Sequence, residues 1–166
     1  MPVRSQLAPN LDIRPLATNL RTPFSLDTLV ELRRRVVARL AFRPCRKEAK
    51  DHERSIRFRR TAARILADGF VYQGKAAADL TVAFLALCAA AGIEARFVAL
   101  KDGSRDHCAA EALLPDGWYA FDVAAPWAAP RKGDVSDIRP LESWRLRAKG
   151  PDAWSVGLGS ASEVLT

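Results

Sequence analysis

Cysteine is scarce in this chain, and its cysteines form neither a metal-binding nor a disulfide pattern. The 166 residues include only Cys45, Cys88 and Cys108, an odd number at wide spacing with no CxxC pair. The sequence therefore predicts no zinc site and no disulfide framework, and we expect no metal or other cofactor. A chain of this length can bury a hydrophobic core without disulfides, so the thiols are expected to be reduced.

Long hydrophobic segments are also missing. The longest apolar run, residues 82–93, is too short to span a bilayer, and residues 1–20 contain no apolar segment of the kind found in secretory signals. We therefore expect a cytoplasmic protein with no membrane partner. The content of hydrophobic residues, 49%, and of charged residues, 27%, excludes a disordered chain and favours a single domain over residues 1–166.

Positive charge is concentrated in the first part of the chain. Residues 1–70 contain 16 Lys or Arg against 7 Asp or Glu, a net charge of +9, whereas residues 71–166 contain 10 against 12, a net charge of −2. The simplest interpretation is a solvated, arginine-rich helical surface. The alternative is a basic module that binds nucleic acid or has a structural interaction role, although no known DNA- or RNA-binding motif accompanies the arginines.

The first third of the chain is predicted to be helical. Residues 1–22 contain several prolines and are expected to form an irregular N-terminal arm, with a short edge strand at 11–16. Residues 23–69 are expected to form a basic layer of two helices, at about 25–40 and 47–67.

Residues 74–125 contain the predicted core. A helix over 77–91 is apolar on every side after its first turn and should be buried, and Gly92 should end it. Period-two patterns then predict an antiparallel meander with strands at 95–100, 107–114 and 118–123. Residues 126–166 are expected to wrap around this core with one further strand near 138–141. Helices followed by antiparallel strands define an α+β fold, with a sheet of three to five strands.

Three motifs in this core occur in a recognisable order. The buried helix ends in Gly92-Ile93-Glu94-Ala95-Arg96, a strand then begins with His107 and reaches Glu111, and the next strand contains Gly117-Trp118-Tyr119-Ala120-Phe121-Asp122. Over about residues 60–125 the chain resembles the transglutaminase-like superfamily, whose core is shared with papain-type cysteine peptidases. The resemblance implies the transglutaminase-like or papain-like fold. It also implies a site for thiol-dependent acyl transfer from amides or esters.

The spacing of His107 and Asp122 predicts a side-chain pair. If Leu113 pairs with Trp118 across the hairpin, His107 and Asp122 become diagonal neighbours on one face of the sheet, about 7–8 Å apart at Cβ. Asp122 can then hold the His107 ring by one nitrogen, which gives the base and the orienting group of a catalytic triad.

The nucleophile that the resemblance implies is missing. Counting back from Gly92 places it at Ala77, two residues before Asp79, and counting from Gly74 places it at Ala76. Ala77 is preferred, because its spacing fits both Asp79 and Gly92, and Ala76 is the alternative. Residues 74–79 contain no Cys, Ser or Thr, and an alanine methyl group cannot attack a carbonyl carbon. Lys75 is a poor substitute, because a helix N-terminus disfavours an ammonium group.

No cysteine is expected to take over the missing role. Cys88 lies eleven residues after Ala77, roughly 16 Å along the helix. Cys108 follows His107 directly and should point to the opposite face of its strand. Cys45 lies among basic residues but is far from the motifs in sequence.

Two interpretations fit the alanine. The chain is a pseudoenzyme that binds a peptide or protein partner in its groove, or it is an enzyme inactivated by substitution. Trp118 and Trp127 are the candidates for the wall of a substrate-binding groove, although either could equally be a core or edge aromatic residue.

Overall fold

Helices dominate the first half of the chain. The computed structural model describes residues 5–125, 127–136 and 143–159. Its four α-helices in these ranges are α1 (Leu26–Ala38), α2 (Lys50–Ile56), α3 (Ala62–Asp68) and α4 (Ala77–Ala91). Short 3-10 helices occupy Arg14–Ala17 and Lys47–Ala49.

The ends of these helices follow local sequence signals. Ser25 and Thr28 form a capping box at the start of α1. Gly69 and Gly92, with φ of +70° and +79°, end α3 and α4 in the left-handed conformation that glycine adopts without strain. The predicted extent of the buried helix, residues 77–91, is confirmed.

Two predictions for the helical region are wrong. The single helix expected over 47–67 is interrupted, because Phe58 has φ +59° after α2, and Thr61 then accepts a hydrogen bond from the Arg64 amide at the start of α3. The edge strand expected at 11–16 is absent, and Pro15 lies instead in the first turn of the 3-10 helix, where its fixed φ is favourable.

The strands form two sheets. β1 (Ala41–Arg43) and β2 (Phe70–Tyr72) form a parallel pair. The main sheet has the order β6-β5-β4-β3-β7, in which all neighbours are antiparallel. Its strands are β3 (Ala95–Asp102), β4 (Arg105–Leu114), β5 (Gly117–Phe121), β6 (Arg131–Lys132) and β7 (Arg145–Gly150). The predicted meander and the α+β class are confirmed, and the strand predicted near 138–141 lies outside the described residues.

The core is built around α4. Residues 80–88 of this helix are each no more than 1% exposed. On one side the helix packs against the sheet, and Phe84 of α4 meets Phe121 of β5 edge to face, with 5.5 Å between the ring centroids. Its other neighbours include Leu29 and Leu32 of α1. Packing from both directions explains why the helix is apolar on every side. Within the described residues, no helix has the length and apolar character needed to cross a membrane.

A buried arginine connects the helical layer to the start of α4. Arg60, in the link between α2 and α3, is 1% exposed. Its guanidinium lies 2.6 Å from Asp79 in the first turn of α4 and 3.2 Å from Asp68 at the end of α3. Its carbonyl oxygen accepts a hydrogen bond from the Gln6 side chain. Burial raises the pKa of Asp79, and the Arg60 charge opposes that shift.

We expect Arg60→Met to destabilise the protein by about 3 kcal/mol, because it leaves the buried Asp79 carboxylate without its cation. Equilibrium urea denaturation measures the loss. Arg64→Met is the matched control, since Arg64 pairs with the same Asp68 but its side chain is 49% exposed, and its loss should stay below about 1 kcal/mol.

Replacing both partners, as in Arg60→Met with Asp79→Leu, should recover much of the lost stability, because no charge is then buried alone. An Arg60→Met protein as stable as Arg64→Met would contradict the assignment.

Candidate active site

A histidine and an aspartate meet at one end of the β4–β5 hairpin. The register Leu113↔Trp118 is the expected one, and it brings His107 Nε2 to 2.8 Å from Asp122 Oδ2. The other carboxylate oxygen of Asp122 accepts a hydrogen bond from the Ala124 amide at 3.2 Å. The predicted side-chain pair is therefore confirmed. Asp122 is held by its own loop and orients the imidazole, and Nδ1 is the ring nitrogen that Asp122 does not occupy.

An aromatic ring covers this pair. Trp144, directly before β7, lies with its ring centroid 5.0 Å from that of His107. The side chains of His107 and Asp122 are only 19% and 24% exposed. Reduced access of water strengthens the hydrogen bond between them. Sequence reasoning missed Trp144, because the contact exists only once β7 pairs with β3 and no local motif marks it.

The start of α4 and the histidine line the same cleft. The cleft has a volume of about 200 Å³, and both Ala77 and His107 contribute to its lining. Ala77 is the first residue of α4, whereas Ala76 is 7% exposed and does not contribute to the lining. Of the two alanines that the sequence offers, Ala77 is thus the one that lies in the cleft.

The helix terminus gives the cleft a site for negative charge. The residue before α4 is Ala76, so no side chain accepts hydrogen bonds from the free amide groups of the first turn. These amides and the helix dipole stabilise an anion at this end. The cleft therefore combines an oriented imidazole with an anion-stabilising helix start, two elements of a thiol acyl-transfer site, but α4 begins with a methyl group where the attacking atom would be.

None of the three cysteines lies at the start of α4. Cys108 lies against α4, with its sulfur 3.7 Å from the Thr81 hydroxyl, and burial raises the pKa of its thiol to about 12. Cys88 is fully buried, and burial raises the pKa of its thiol as well. Cys45 is partly exposed and lines a depression that shares Lys75 with the cleft. All three thiols are free.

Neither tryptophan proposed for the groove wall lines the cleft. The guanidinium carbon of Arg96 lies 3.8 Å from the centre of the Trp118 ring, and Arg96 Nη2 lies 3.1 Å from Oε2 of the buried Glu111. Trp118 thus lies near the end of β5 away from Asp122. Trp127 is 83% exposed and contributes nothing to the lining.

The cleft is lined instead by residues that sequence reasoning did not single out for it. They are Arg57, Phe58, Lys75 and Leu158, which lie in three separate segments of the chain. The basic character of residues 1–70 was a partial signal for Arg57. No cluster of three metal-ligating side chains occurs in the part of the chain that the structure describes.

We expect iodoacetamide at neutral pH to modify only Cys45 in the native protein, since Cys88 and Cys108 are buried and their thiols stay protonated. Mass spectrometry should find one label per chain in buffer and three in denaturant. The variant Cys45→Ala should take up none in buffer, and a native label on Cys108 would contradict its assignment to the core.

The comparisons with known proteins agree with this fold. The family model of the transglutaminase-like superfamily matches residues 29–123. A crystal structure of a candidate cysteine protease from Cytophaga hutchinsonii matches 92% of this chain with a TM-score of 0.58 at 15% sequence identity, and this chain spans 48% of that one. No curated protein is similar enough to count as a match. The structural likeness concerns the fold, and the family match covers more than half of the residues: the chain belongs to the transglutaminase-like superfamily.

Proposed function

We propose that this chain is a pseudoenzyme, a non-catalytic member of its superfamily whose cleft binds a peptide or protein partner without cleaving it. One observation carries the proposal. Ala77 stands at the first residue of α4, in the cleft that also contains His107. The methyl group occupies the place from which a nucleophile would act, and it cannot form a bond to an acyl carbon.

The remaining elements of the site support binding near this position. In an intact thiol site, the thiolate attacks a carbonyl carbon, and the imidazolium gives its proton to the leaving group before water or an amine accepts the acyl group. Without the sulfur, His107 and the α4 amides can still bind polar groups of a peptide, such as carbonyl oxygens. Free thiols in all three cysteines support a reducing compartment such as the cytoplasm.

We expect the native protein to have no thiol-dependent hydrolase activity. The experiment measures release of nitrophenol or nitroaniline from ester and anilide substrates, with and without prior treatment with iodoacetamide. Turnover above that of the His107→Ala variant would contradict the proposal. Turnover lost in Cys45→Ser alone would assign the reaction to Cys45.

We expect Ala77→Cys to produce an unusually reactive thiol. The helix start stabilises the thiolate, and His107, oriented by Asp122, can accept the proton. In a Cys45→Ala background, the pH dependence of iodoacetamide labelling should give a thiol pKa clearly below the ordinary value of about 8.5.

The matched control is Ala76→Cys, one residue earlier and outside the cleft lining, which should react slowly. The further change His107→Ala should raise the pKa of the thiol in Ala77→Cys. If both introduced thiols titrate near the ordinary value and His107→Ala changes neither, the proposed site is wrong. Efficient amide hydrolysis by Ala77→Cys would favour the other interpretation, an enzyme inactivated by a single substitution.

A further inference from the structure

The cleft continues into two neighbouring depressions. One has a volume of about 320 Å³ and shares Arg57, Gly74 and Lys75 with the cleft. The other has a volume of about 230 Å³ and shares Arg57 and Phe58 with it. We call the three together the basic groove. Arg57 lines all three parts, so they lie side by side around its side chain.

Positive charge predominates along the basic groove. Five cationic side chains line it, against the two carboxylates Glu53 and Asp106. The cations are Lys50, Arg54, Arg57, Arg59 and Lys75. Glu53 offers little to a ligand, because its side chain is 6% exposed and its Oε1 lies 2.6 Å from Arg57 Nε. Because Glu53 and Arg57 neutralise each other, the positive charge presented to a ligand comes chiefly from Lys50, Lys75 and Arg54.

Two of these cations are not neutralised by the fold. Lys50 and Lys75 are exposed, and no carboxylate among the described residues forms an ion pair with either of them. Arg54 lies 3.8 Å from Asp51, but both side chains are largely exposed, so water screens this contact. These ammonium and guanidinium groups remain available to an anionic ligand.

The start of α4 adds to this field. Ala77 and Ala78 of its first turn line one end of the groove, and the free amides of that turn carry the positive end of the helix dipole. Asp79, the acidic residue of the first turn, does not cancel that charge, because its carboxylate is held by Arg60 at 2.6 Å. The helix terminus and the lysine and arginine side chains therefore favour the same sign of ligand charge.

We propose that the basic groove binds an acidic peptide segment, whose carboxylates meet Lys50, Lys75 and Arg54 while its backbone passes the Ala77 position. This inference rests on the proposed function, because it names the chemistry of the partner. A peptide fits better than a nucleic acid because the groove offers few rings for stacking. Among the groove-lining residues described, the rings are those of Phe58 and His107, and the His107 ring already lies against Trp144, whereas single strands bind by stacking on several rings.

Fluorescence anisotropy with labelled ten-residue peptides tests this inference. The probes are alternating Glu-Gly, Gln-Gly and Lys-Gly peptides and a twelve-nucleotide oligothymidine. The Glu-Gly peptide should bind, its affinity should fall as salt rises, and the Gln-Gly and Lys-Gly peptides should not bind. The double variant Lys75→Gln with Arg54→Gln should raise the dissociation constant roughly tenfold, as expected for two partly exposed ion pairs.

The choice of variants separates binding from folding. Arg57 is left unchanged, because its loss would strand the buried Glu53. The control is Arg34→Gln, which removes one positive charge from α1 outside the groove and should leave the dissociation constant unchanged.

Equal affinity of the double variant and the native protein for the Glu-Gly peptide would overturn the inference, and so would equal binding of the Gln-Gly peptide. Oligothymidine bound more tightly than the Glu-Gly peptide, with the same sensitivity to the double variant, would make the groove a nucleic-acid site instead. The labelling of Ala77→Cys is independent of these results. If Ala77→Cys gives a reactive thiol but the Glu-Gly peptide does not bind, only the groove assignment is overturned. If the peptide binds but the thiol of Ala77→Cys titrates at its ordinary value, only the proposal that the cleft is a thiol acyl-transfer site without its nucleophile is overturned.

Discussion

The buried guanidinium of Arg60 is the point on which the position of the cleft depends. The guanidinium binds the carboxylate of Asp79, two residues after Ala77. The backbone carbonyl oxygen of Arg60 accepts a hydrogen bond from the side chain of Gln6. Gln6 in turn accepts a hydrogen bond from the Ala153 amide and donates its own amide proton to Asp152. The N-terminal arm, the C-terminal segment and the first turn of α4 are thus joined through one chain of polar contacts, which is costly to break because its members are buried.

The apolar packing of α4 fixes the rotation and the position of the whole helix, which the polar contacts at its first turn alone do not. A helix buried along residues 80–88 cannot rotate or slide relative to the sheet without opening cavities. The helix start therefore stays beside the end of the β4–β5 hairpin, where Asp122 and Trp144 hold His107. Preorganisation of this kind serves binding as well as catalysis, since the groups that meet a ligand need no rearrangement. The paired His107 and Asp122 and the start of α4 thus lie together in a fixed arrangement, and the first helical residue is alanine.

The link between α2 and α3 shows why local patterns were insufficient in the helical layer. Apolar and basic residues over 47–67 continue a helical period, so the sequence predicts one helix. In the structure Phe58 turns the chain, and this turn directs Arg60 inward to Asp79 and places Arg57 in the cleft. The interruption of the helix is stabilised by the ion pairs of the buried Arg60 and by the hydrogen bond from the Trp154 ring to the Phe58 carbonyl oxygen. These partners are distant in sequence, so they leave no periodic signal.

Three features could be predicted from periodicity, glycine positions and hairpin spacing. They are the buried helix at 77–91, the three-stranded meander and the pairing of His107 with Asp122. Each depends on contacts between residues that are near in sequence or related by a short turn. The sequence also established that residues 74–79 hold no nucleophile. The spacing to Asp79 and Gly92 already favoured Ala77 over Ala76, and the lining of the cleft agrees with it. The cover that Trp144 places on the histidine and the basic groove around Arg57 were decided by the tertiary structure alone. Each of these arises where separate segments pack together, and the chain's long-range pairing determines which side chains then share a surface.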